Sequence, residues 1–418
     1  MASSPQGSAT LISTSSIPST LEGQQLQYVP TEAPSLHLEV IVVGAGIAGL
    51  AAATALRRAG HRVKIFEQSH LNSEIGAAIH VGPNVSRVLH KLGYSKERLR
   101  GKAALKSWQI TLYNSDAEIL ADMPSTATIE RQGFPWFLAH RVDLHNELKH
   151  LAIDADGEGP PASLNLGAKV VSVDAENGLV ALASGETWGA DLVIAADGMH
   201  SAIRELLFDA TKPFPTGEAA YRFIIDMDQV VNDPKCLQTS LSDGRCRIVM
   251  GLDKRVVLYP CRNYSLLNLV CIHRTEHPGE VGSGWNSASS VDNVLETYQD
   301  FSPKVTNILK KGQNVKCWPL LQRNPIESWI KGRLCIIGDA AHPMLPHQGQ
   351  GGGQAIEDGA ALGALFVMGS KRDNVHRLLE LWQQVRKQRA STVEWLSATQ
   401  AAGKATLPRK YLLQRQSQ

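Results

Sequence analysis

Apolar and polar positions along the chain cluster and break so that a few elements can be read directly. Val40, Ile41, Val42 and Val43 form a short, continuous β-branched run, the pattern of a strand buried on both faces of a parallel sheet. It leads into Gly44-Ala45-Gly46-Ile47-Ala48-Gly49 and then Leu50 to Ala59, good helix formers closed by Gly60. Strand, glycine turn and helix therefore follow in that order, and Arg62 to Glu67 supplies a second strand. Further on, Asp191 to Ala196 reads as another buried strand with Asp197 and Gly198 at its C-terminal end, followed by Ser201, Ala202 and Arg204. Arg333 to Ile337 is a third, ending in Gly338-Asp339-Ala340-Ala341-His342-Pro343. After it come Gln348-Gly349-Gln350-Gly351-Gly352-Gly353-Gln354 and the helix-prone Ala355 to Val367. Arg245 to Met250, Arg255 to Tyr259 and Ser265 to His273 are short β runs separated by turn residues around Asp253 and Asn263, predicting an antiparallel sheet. Asn374 to Ala402 has a long helical pattern, with Leu378, Leu379, Leu381, Trp382 and Val385 expected on one side of a bracing helix.

Composition narrows the class of function. Forty-two Lys and Arg against forty Asp and Glu leave a formal charge of +2, too little for the broad positive field of a nucleic-acid binder. The six cysteines, Cys236, Cys246, Cys261, Cys271, Cys317 and Cys335, show no CxxC and no histidines at zinc-ligand spacing, so free thiols in a reducing, cytoplasmic setting are expected and no metal site. Residues 1–37 are rich in Ser, Thr, Pro and Gln with no Lys or Arg, unlike a secretory or mitochondrial leader, and are expected to be a disordered tail. Val40 to Leu56 approaches the length of a membrane span, but its three glycines fit the strand-turn-helix reading better, so no span is predicted. Arg386-Lys387-Gln388-Arg389 is too short a basic run to indicate a membrane or nucleic acid.

The glycine turn has a physical rationale. Gly44 permits the tight turn, Gly46 lets the backbone approach a pyrophosphate, and Gly49 lets helix and strand pack closely. The helix N-terminus then offers N–H donors to anionic oxygens. A lone GxGxxG is a weak signal, but Glu67 ends the second strand 21 residues after Gly46, where a carboxylate accepts hydrogen bonds from an adenosine ribose. Dinucleotide binding follows, with NAD and FAD undistinguished by this motif alone. The second glycine-rich helix start, after Gly338-Asp339, suits a flavin: reduced isoalloxazine carries negative charge around N1 and O2, which helix N–H groups stabilise. Asp339 can hold ribityl hydroxyls.

Taken together, Gly44 to Gly49, Asp197-Gly198 and Gly338 to Pro343 resemble the three signatures of the group A FAD-dependent aromatic hydroxylases, in particular the salicylate hydroxylase-like branch and its fungal biosynthetic relatives. The resemblance covers about residues 38 to 400 and extends to Gly76-Ala77-Ala78-Ile79, Pro83-Asn84 and His140-Arg141-Val142-Asp143-Leu144. It implies an α/β fold, with a Rossmann-like FAD-binding domain, a mixed or antiparallel β-sheet substrate domain and a C-terminal helix. The FAD-binding domain is expected in three pieces, 38–110, 138–212 and 326–405, with substrate-domain segments at 111–137 and 213–325 and a tail at 406–418. The resemblance also implies that Glu67 binds ribose, that the Gly76 to Ile79 turn (through Ala78) and Arg141 contact FAD, and that Asp197-Gly198 serves FAD and nicotinamide access. Asp339 would hold the ribityl chain and Gly352 would lie against the flavin. Gly352-Gly353 replaces the Ala-Asn of many relatives; an added glycine loosens a helix start by roughly 1 kcal/mol and is expected here to make room for a bulkier substrate.

The implied reaction is reduction of FAD by NAD(P)H, capture of O2 as a C4a-hydroperoxyflavin and oxygen transfer to a phenolic, salicylate- or orsellinate-like ring, with NADPH favoured by analogy. Monomer and homodimer are both compatible. Tyr221-Arg222 and Tyr259-Pro260 resemble family patterns that assign substrate work to Arg222 and Tyr259. A guanidinium stabilises a nearby phenolate and a tyrosine hydroxyl orients oxygen or relays a proton, although an arginine and a tyrosine in a sheet are by default a surface pair and a half-buried ring. His342 and His347 are separated by two prolines with no nearby carboxylate completing a site, and the backbone of a loop facing flavin is preferred to a metal site. Rival readings are a flavin-dependent epoxidase of an alkene, a peroxide-releasing oxidase, and a non-catalytic carrier of the guanine-nucleotide dissociation inhibitor type. Arg222 favours the phenol over the alkene, and the intact second and third motifs argue against the carrier.

Overall fold

The computed structural model describes residues 36–70, 77–94, 105–107, 109–124, 130–237, 243–275 and 287–401. Residues 1–35 and 402–418 lie outside the described residues, and with them nearly all of the expected tail 1–37 and the whole of the expected tail 406–418; Gly76 of the turn expected to contact flavin is likewise outside them.

The apolar run around Val40 becomes β1 (Glu39–Val43), and it sits inside a six-stranded sheet because both its faces are covered. The strand order is Ile330–Lys331, Leu334–Ile336, Leu192–Ala195, β1, β2 (Arg62–Glu67) and Ser163–Leu166, with every pairing parallel except the first. Leu192 to Ala195 are fully buried, as a parallel strand with helices on both sides requires. The helix after the glycine turn, α1 (Ile47–Arg58), crosses the helix Gly351–Leu365 at backbone contact. A Cβ added at Gly359 would lie 2.5 Å from the Ala52 amide nitrogen, and one at Gly363 would lie 2.6 Å from Ala55 Cβ. Only glycine allows that approach. At its other end α1 is tied by the buried Arg57, whose guanidinium donates to the carbonyls of Leu151, Ala152, Asp154, Gly157 and Gly159 around the end of the helix Arg141–Ile153.

The second large sheet has eight strands in the order Ser287–Ala288, Gln313–Gln322, Phe214–Asp226, Leu266–Arg274, Arg255–Cys261, Cys246–Met250, Gln109–Asn114 and Ile119–Pro124. It is mixed rather than wholly antiparallel, because Cys246–Met250 pairs in parallel with Gln109–Asn114. Those two strands come from distant stretches of chain, so no hairpin dictates their relative direction. One face of this sheet, with Tyr221, Phe223, Leu267, Leu269, Val256 and Leu258, forms a core with the helices Val291–Thr297 and Pro303–Leu309. The period-two alternation puts Arg222, Asn268, Val270 and Tyr259 on the opposite face. A small sheet, Ala78–Val81, Phe137–His140 and Leu105–Lys106, completes the junction region.

The C-terminal helix runs Val375–Ala401 and braces the fold through Val375, Leu379, Trp382, Arg386 and Ala390, all buried. The sequence reading placed Leu381 and Val385 on the same side as Leu379 and Trp382; they instead face outward, 41% and 62% exposed. The inward stripe follows the i, i+4, i+7 rhythm from Val375 and includes the charged Arg386, which apolarity alone does not reveal. All six cysteines are buried free thiols. Among the described residues no helix is long and apolar enough to cross a membrane.

Candidate active site

The three glycines of the first turn have three different environments. Gly44 has φ +101°, and a Cβ there would meet the Ala196 carbonyl oxygen at 2.5 Å. A Cβ on Gly49 would sit 2.0 Å from the Gly44 carbonyl oxygen, so that position is closed by packing. Gly46 has no protein atom within 4 Å of its Cβ position, so its backbone is open to an approaching group. Glu67 reaches back to this turn: Ala45 N–H donates to its Oε2 at 2.8 Å, and Ser69 N–H donates to its Oε1 at 2.8 Å. His145 Nε2 fixes the same turn from the other side, 2.6 Å from the Ala45 carbonyl oxygen.

The second and third motifs meet the first. Asp197 follows the Ala196 carbonyl that Gly44 lies against, and Gly198 has φ +80° with no atom within 4 Å of its Cβ position. Asp197 Oδ2 accepts from Ile203 N–H at 3.3 Å, while its buried Oδ1 has no protein partner. Burial raises its pKa, opposed by hydrogen bonds from the Ser201 side chain and the start of the helix Ala202–Leu207. Arg204, fully buried, donates to the carbonyls of Ala340, Ala341 and Asn324 and so ties the second motif to the third. Gly338 nests against Ala48 of α1 and Ala355. Asp339 is exposed, yet the surrounding protein raises its pKa, and the charges of His342 and Arg141 oppose the rise.

Arg141 also acts electrostatically on Arg222, which connects the dinucleotide end to the eight-stranded sheet. Arg222 lines a cavity of about 370 Å³ together with Ala77, Asn268, Lys316 and Trp318. Its guanidinium lies over the Trp318 indole, Cζ 4.7 Å from the ring centroid, and its buried Nε has no hydrogen-bond partner. Burial lowers its pKa, and Tyr259 pulls in the opposite direction. Tyr259 is 3% exposed, and burial pushes its phenol far up, only partly opposed by Arg222, so it stays protonated. His80 stands edge-on to it, ring centroids 4.3 Å apart, with its own pKa driven down to about 4 by burial.

Three expectations change on contact with this geometry. The space beside Gly352 and Gly353 is filled by Ile79 and Val85, whose side chains would lie 2.8 and 2.5 Å from an added Cβ, so these glycines serve close packing rather than substrate room. Ala78 N–H is already donated to Asn268 Oδ1 at 3.0 Å, so that amide is not free for a flavin. Finally, His342 and His347 each find a carboxylate from elsewhere in the chain. His342 Nε2 lies 2.6 Å from Asp358 Oδ2 in a buried pair that Arg386 extends; burial depresses His342, but the Asp358 carboxylate outweighs it and holds the imidazole protonated more strongly than usual. His347 Nε2 lies 3.1 Å from Glu218 and its other nitrogen meets Arg255. The two histidines thus belong to separate ionic networks.

The family model described as an FAD binding domain matches residues 37–397. The chain is 37% identical over 373 residues to FAD-dependent monooxygenase cfoG of Aspergillus candidus, covering 87% of this chain and 85% of that protein. It is 33% identical over 369 residues to hispidin-3-hydroxylase of Neonothopanus nambi, covering 85% and 86%. A salicylate hydroxylase substrate complex superposes with a TM-score of 0.71 at 26% identity, covering 90% of this chain and 92% of that one. The chain belongs to the FAD binding domain family of FAD-dependent monooxygenases. It is therefore an enzyme, and the non-catalytic carrier reading is set aside.

The residues present fit FAD. The Cβ positions at Gly46 and Gly198, open among the described residues, the Asp197 Oδ1 unpartnered among them and the exposed carboxylate of Asp339 are the features an extended dinucleotide would occupy. Four residues escaped the sequence reading of the monooxygenase: His80 on the small sheet, and Asn268, Lys316 and Trp318 on the eight-stranded one. Asn268 carried a usable signal, a lone amide in the apolar strand Leu266-Leu267-Asn268-Leu269-Val270, since a polar residue in such a run is buried and must find partners.

Proposed function

We propose that this monooxygenase uses NAD(P)H and O2 to hydroxylate an ionisable phenolic ring held in the Arg222 cavity. The observation that carries the reading is Arg222 itself: a half-buried guanidinium beside a cavity, stacked on Trp318, with no carboxylate paired to it among the described residues and a buried Nε without a hydrogen-bond partner. Such a group favours an anion beside it. A phenolate meets that need, and the same contact lowers the phenol's pKa and enriches its ring carbons in electron density. FAD, once reduced, supplies the activated oxygen.

The other residues act on position and protons. Tyr259, kept neutral by burial, is a hydroxyl donor to a substrate oxygen rather than a base. Arg141 acts electrostatically on both Asp339 and Arg222, which would couple the cofactor end to the substrate cavity. Gly46 and Glu67 would take the pyrophosphate and ribose, and Asp339 the ribityl chain. Two of the similar proteins are hydroxylases by name, in line with this reading. An alkene would leave Arg222 without a counter-charge, which disfavours epoxidation.

The test is stopped-flow reduction of the flavin by NADPH with and without a panel of resorcinol, salicylate and orsellinate-like phenols, followed by oxygen uptake and product analysis. One phenol should accelerate reduction by at least an order of magnitude and leave hydroxylated. A reduction rate indifferent to every phenol would overturn the proposal.

A further inference from the structure

The row of residues across the cavity face is longer than the pair Arg222 and Tyr259. In the strand Leu266–Arg274, Asn268 stands directly opposite Tyr259 on one side, and its same-face neighbour Val270 stands opposite Arg222 on the other. Directly opposed side chains have Cβ atoms roughly 4.5–5.5 Å apart and diagonal ones lie somewhat further, within reach of one small ring. Asn268 therefore sits between the two, 1% exposed, in the lining of the same cavity.

Its amide orientation follows from its surroundings. Ala78 N–H needs an acceptor, so the oxygen Oδ1 must face it, and it does at 3.0 Å. That leaves Nδ2 turned the other way, buried and without a hydrogen-bond partner. A buried amide donor left unpaired is destabilising, and here it belongs to a side chain lining a cavity.

We infer that Asn268 is a specificity-determining and positioning residue: Nδ2 donates to a second oxygen of the substrate, beside the oxyanion held by Arg222, while Oδ1 anchors the strand Ala78–Val81. The substrate class is thereby narrowed to a phenol bearing a neighbouring carbonyl-type oxygen. One side chain spans the substrate and the strand that continues the flavin-contact turn, so substrate occupancy is registered at that strand through a single amide. This rests on the proposed aromatic hydroxylation.

The experiment compares two probes that differ by one acetyl group, resorcinol and 2,4-dihydroxyacetophenone, on the FAD-loaded enzyme. Binding is read from perturbation of the oxidised flavin spectrum, and reduction by NADPH from stopped flow. The wild type should bind the ketone at least about tenfold more tightly than resorcinol, because a site built around a hydrogen bond rejects the analogue that lacks it. Asn268→Asp keeps an acceptor for Ala78 N–H and replaces the donor with a carboxylate oxygen. At pH 8 it should retain FAD, lose the preference between the two probes, and lose substrate stimulation of reduction for the ketone. Asn268→Leu, which removes both functions, should additionally weaken FAD retention. An Asn268→Asp enzyme that discriminates the probes as the wild type does overturns the inference, as does a wild type that is gated by phenols but binds both probes equally. If no phenol gates the wild type, the hydroxylation proposal itself fails, which is a separate outcome.

Discussion

Arg222 and Trp318 lie on neighbouring strands with the guanidinium carbon 4.7 Å from the indole centroid, and this stacking supports a half-buried cation that has no acid paired to it among the described residues. A cation–π contact is worth roughly 0.5–2 kcal/mol, less than the penalty of burying a charge without an ion pair. The protein thus holds an electrostatic liability at the place where a phenolate is proposed to bind.

The first prediction follows. Arg222→Met keeps the apolar length of the side chain against Trp318 and removes the charge, so the thermal midpoint should hold or rise, by a stabilisation on the order of 1 kcal/mol. Phenol binding and phenol-stimulated flavin reduction should fall by about two orders of magnitude. A fall in both thermal midpoint and activity would mean that Arg222 supports the fold and not the ligand.

Two glycines of one turn should behave oppositely. Gly46→Ala adds a methyl into open space and should leave the apoprotein's thermal midpoint unchanged while weakening FAD affinity by tenfold or more. Gly49→Ala places its methyl 2.0 Å from a backbone carbonyl oxygen and should destabilise the apoprotein itself, by roughly 2 kcal/mol or more. Differential scanning fluorimetry of both apoproteins, with FAD titrations of whatever folds, separates the two effects. Equal destabilisation by both substitutions contradicts the assignment of Gly46 to the cofactor.

Much of the dinucleotide end was legible because its residues carry chemistry that few alternatives satisfy. β1, β2 and the strand ends at Asp197 and Gly338 fall within a residue of where the apolar runs and glycines put them, and α1 begins at Ile47, three residues before the Leu50 read from the helix formers. The thirteen-residue strand Phe214–Asp226 was not delineated, since Gly217, Glu218 and Arg222 interrupt any simple alternation along it. Nor were the glycines at 359 and 363, which look like weaknesses in a helix until α1 is seen pressed against them. The buried arginines Arg57, Arg204 and Arg386 were equally hidden: each is satisfied by carbonyls or carboxylates distant in sequence, and nothing local marks that.

The network around Arg386 gives a stability prediction. Asp358 accepts from Gly338 N–H at 3.0 Å, from His342 at 2.6 Å and from Arg386 Nε at 2.8 Å, joining the third motif to the C-terminal helix. Asp358→Asn strips the charge from between two buried cations and should cost about 3–5 kcal/mol of stability. Because Gly338 begins the segment that contains Asp339, FAD retention should fall in parallel. Chemical denaturation and flavin content of the purified variant measure both, and a variant as stable as the wild type would show that the pair is dispensable.

The last prediction concerns pH. Glu394, on the C-terminal helix, has its pKa raised from 4.5 to about 7, because burial outweighs the opposing charges of His342 and Arg204. Its folded-state pKa lies above its unfolded one, so the folded state is the better proton binder. The contribution of Glu394 to stability is accordingly full below about pH 4.5 and is lost as pH rises through 7. The loss amounts to roughly 1–3 kcal/mol. Glu394→Gln does not titrate and keeps the shape of the protonated acid, so it should match the wild type in thermal midpoint near pH 5 and exceed it at pH 8. Midpoints measured across that window decide the matter: a gap between the two proteins that opens with rising pH supports a carboxyl protonated in the fold, whereas a constant gap means that Glu394 is already ionised at pH 5.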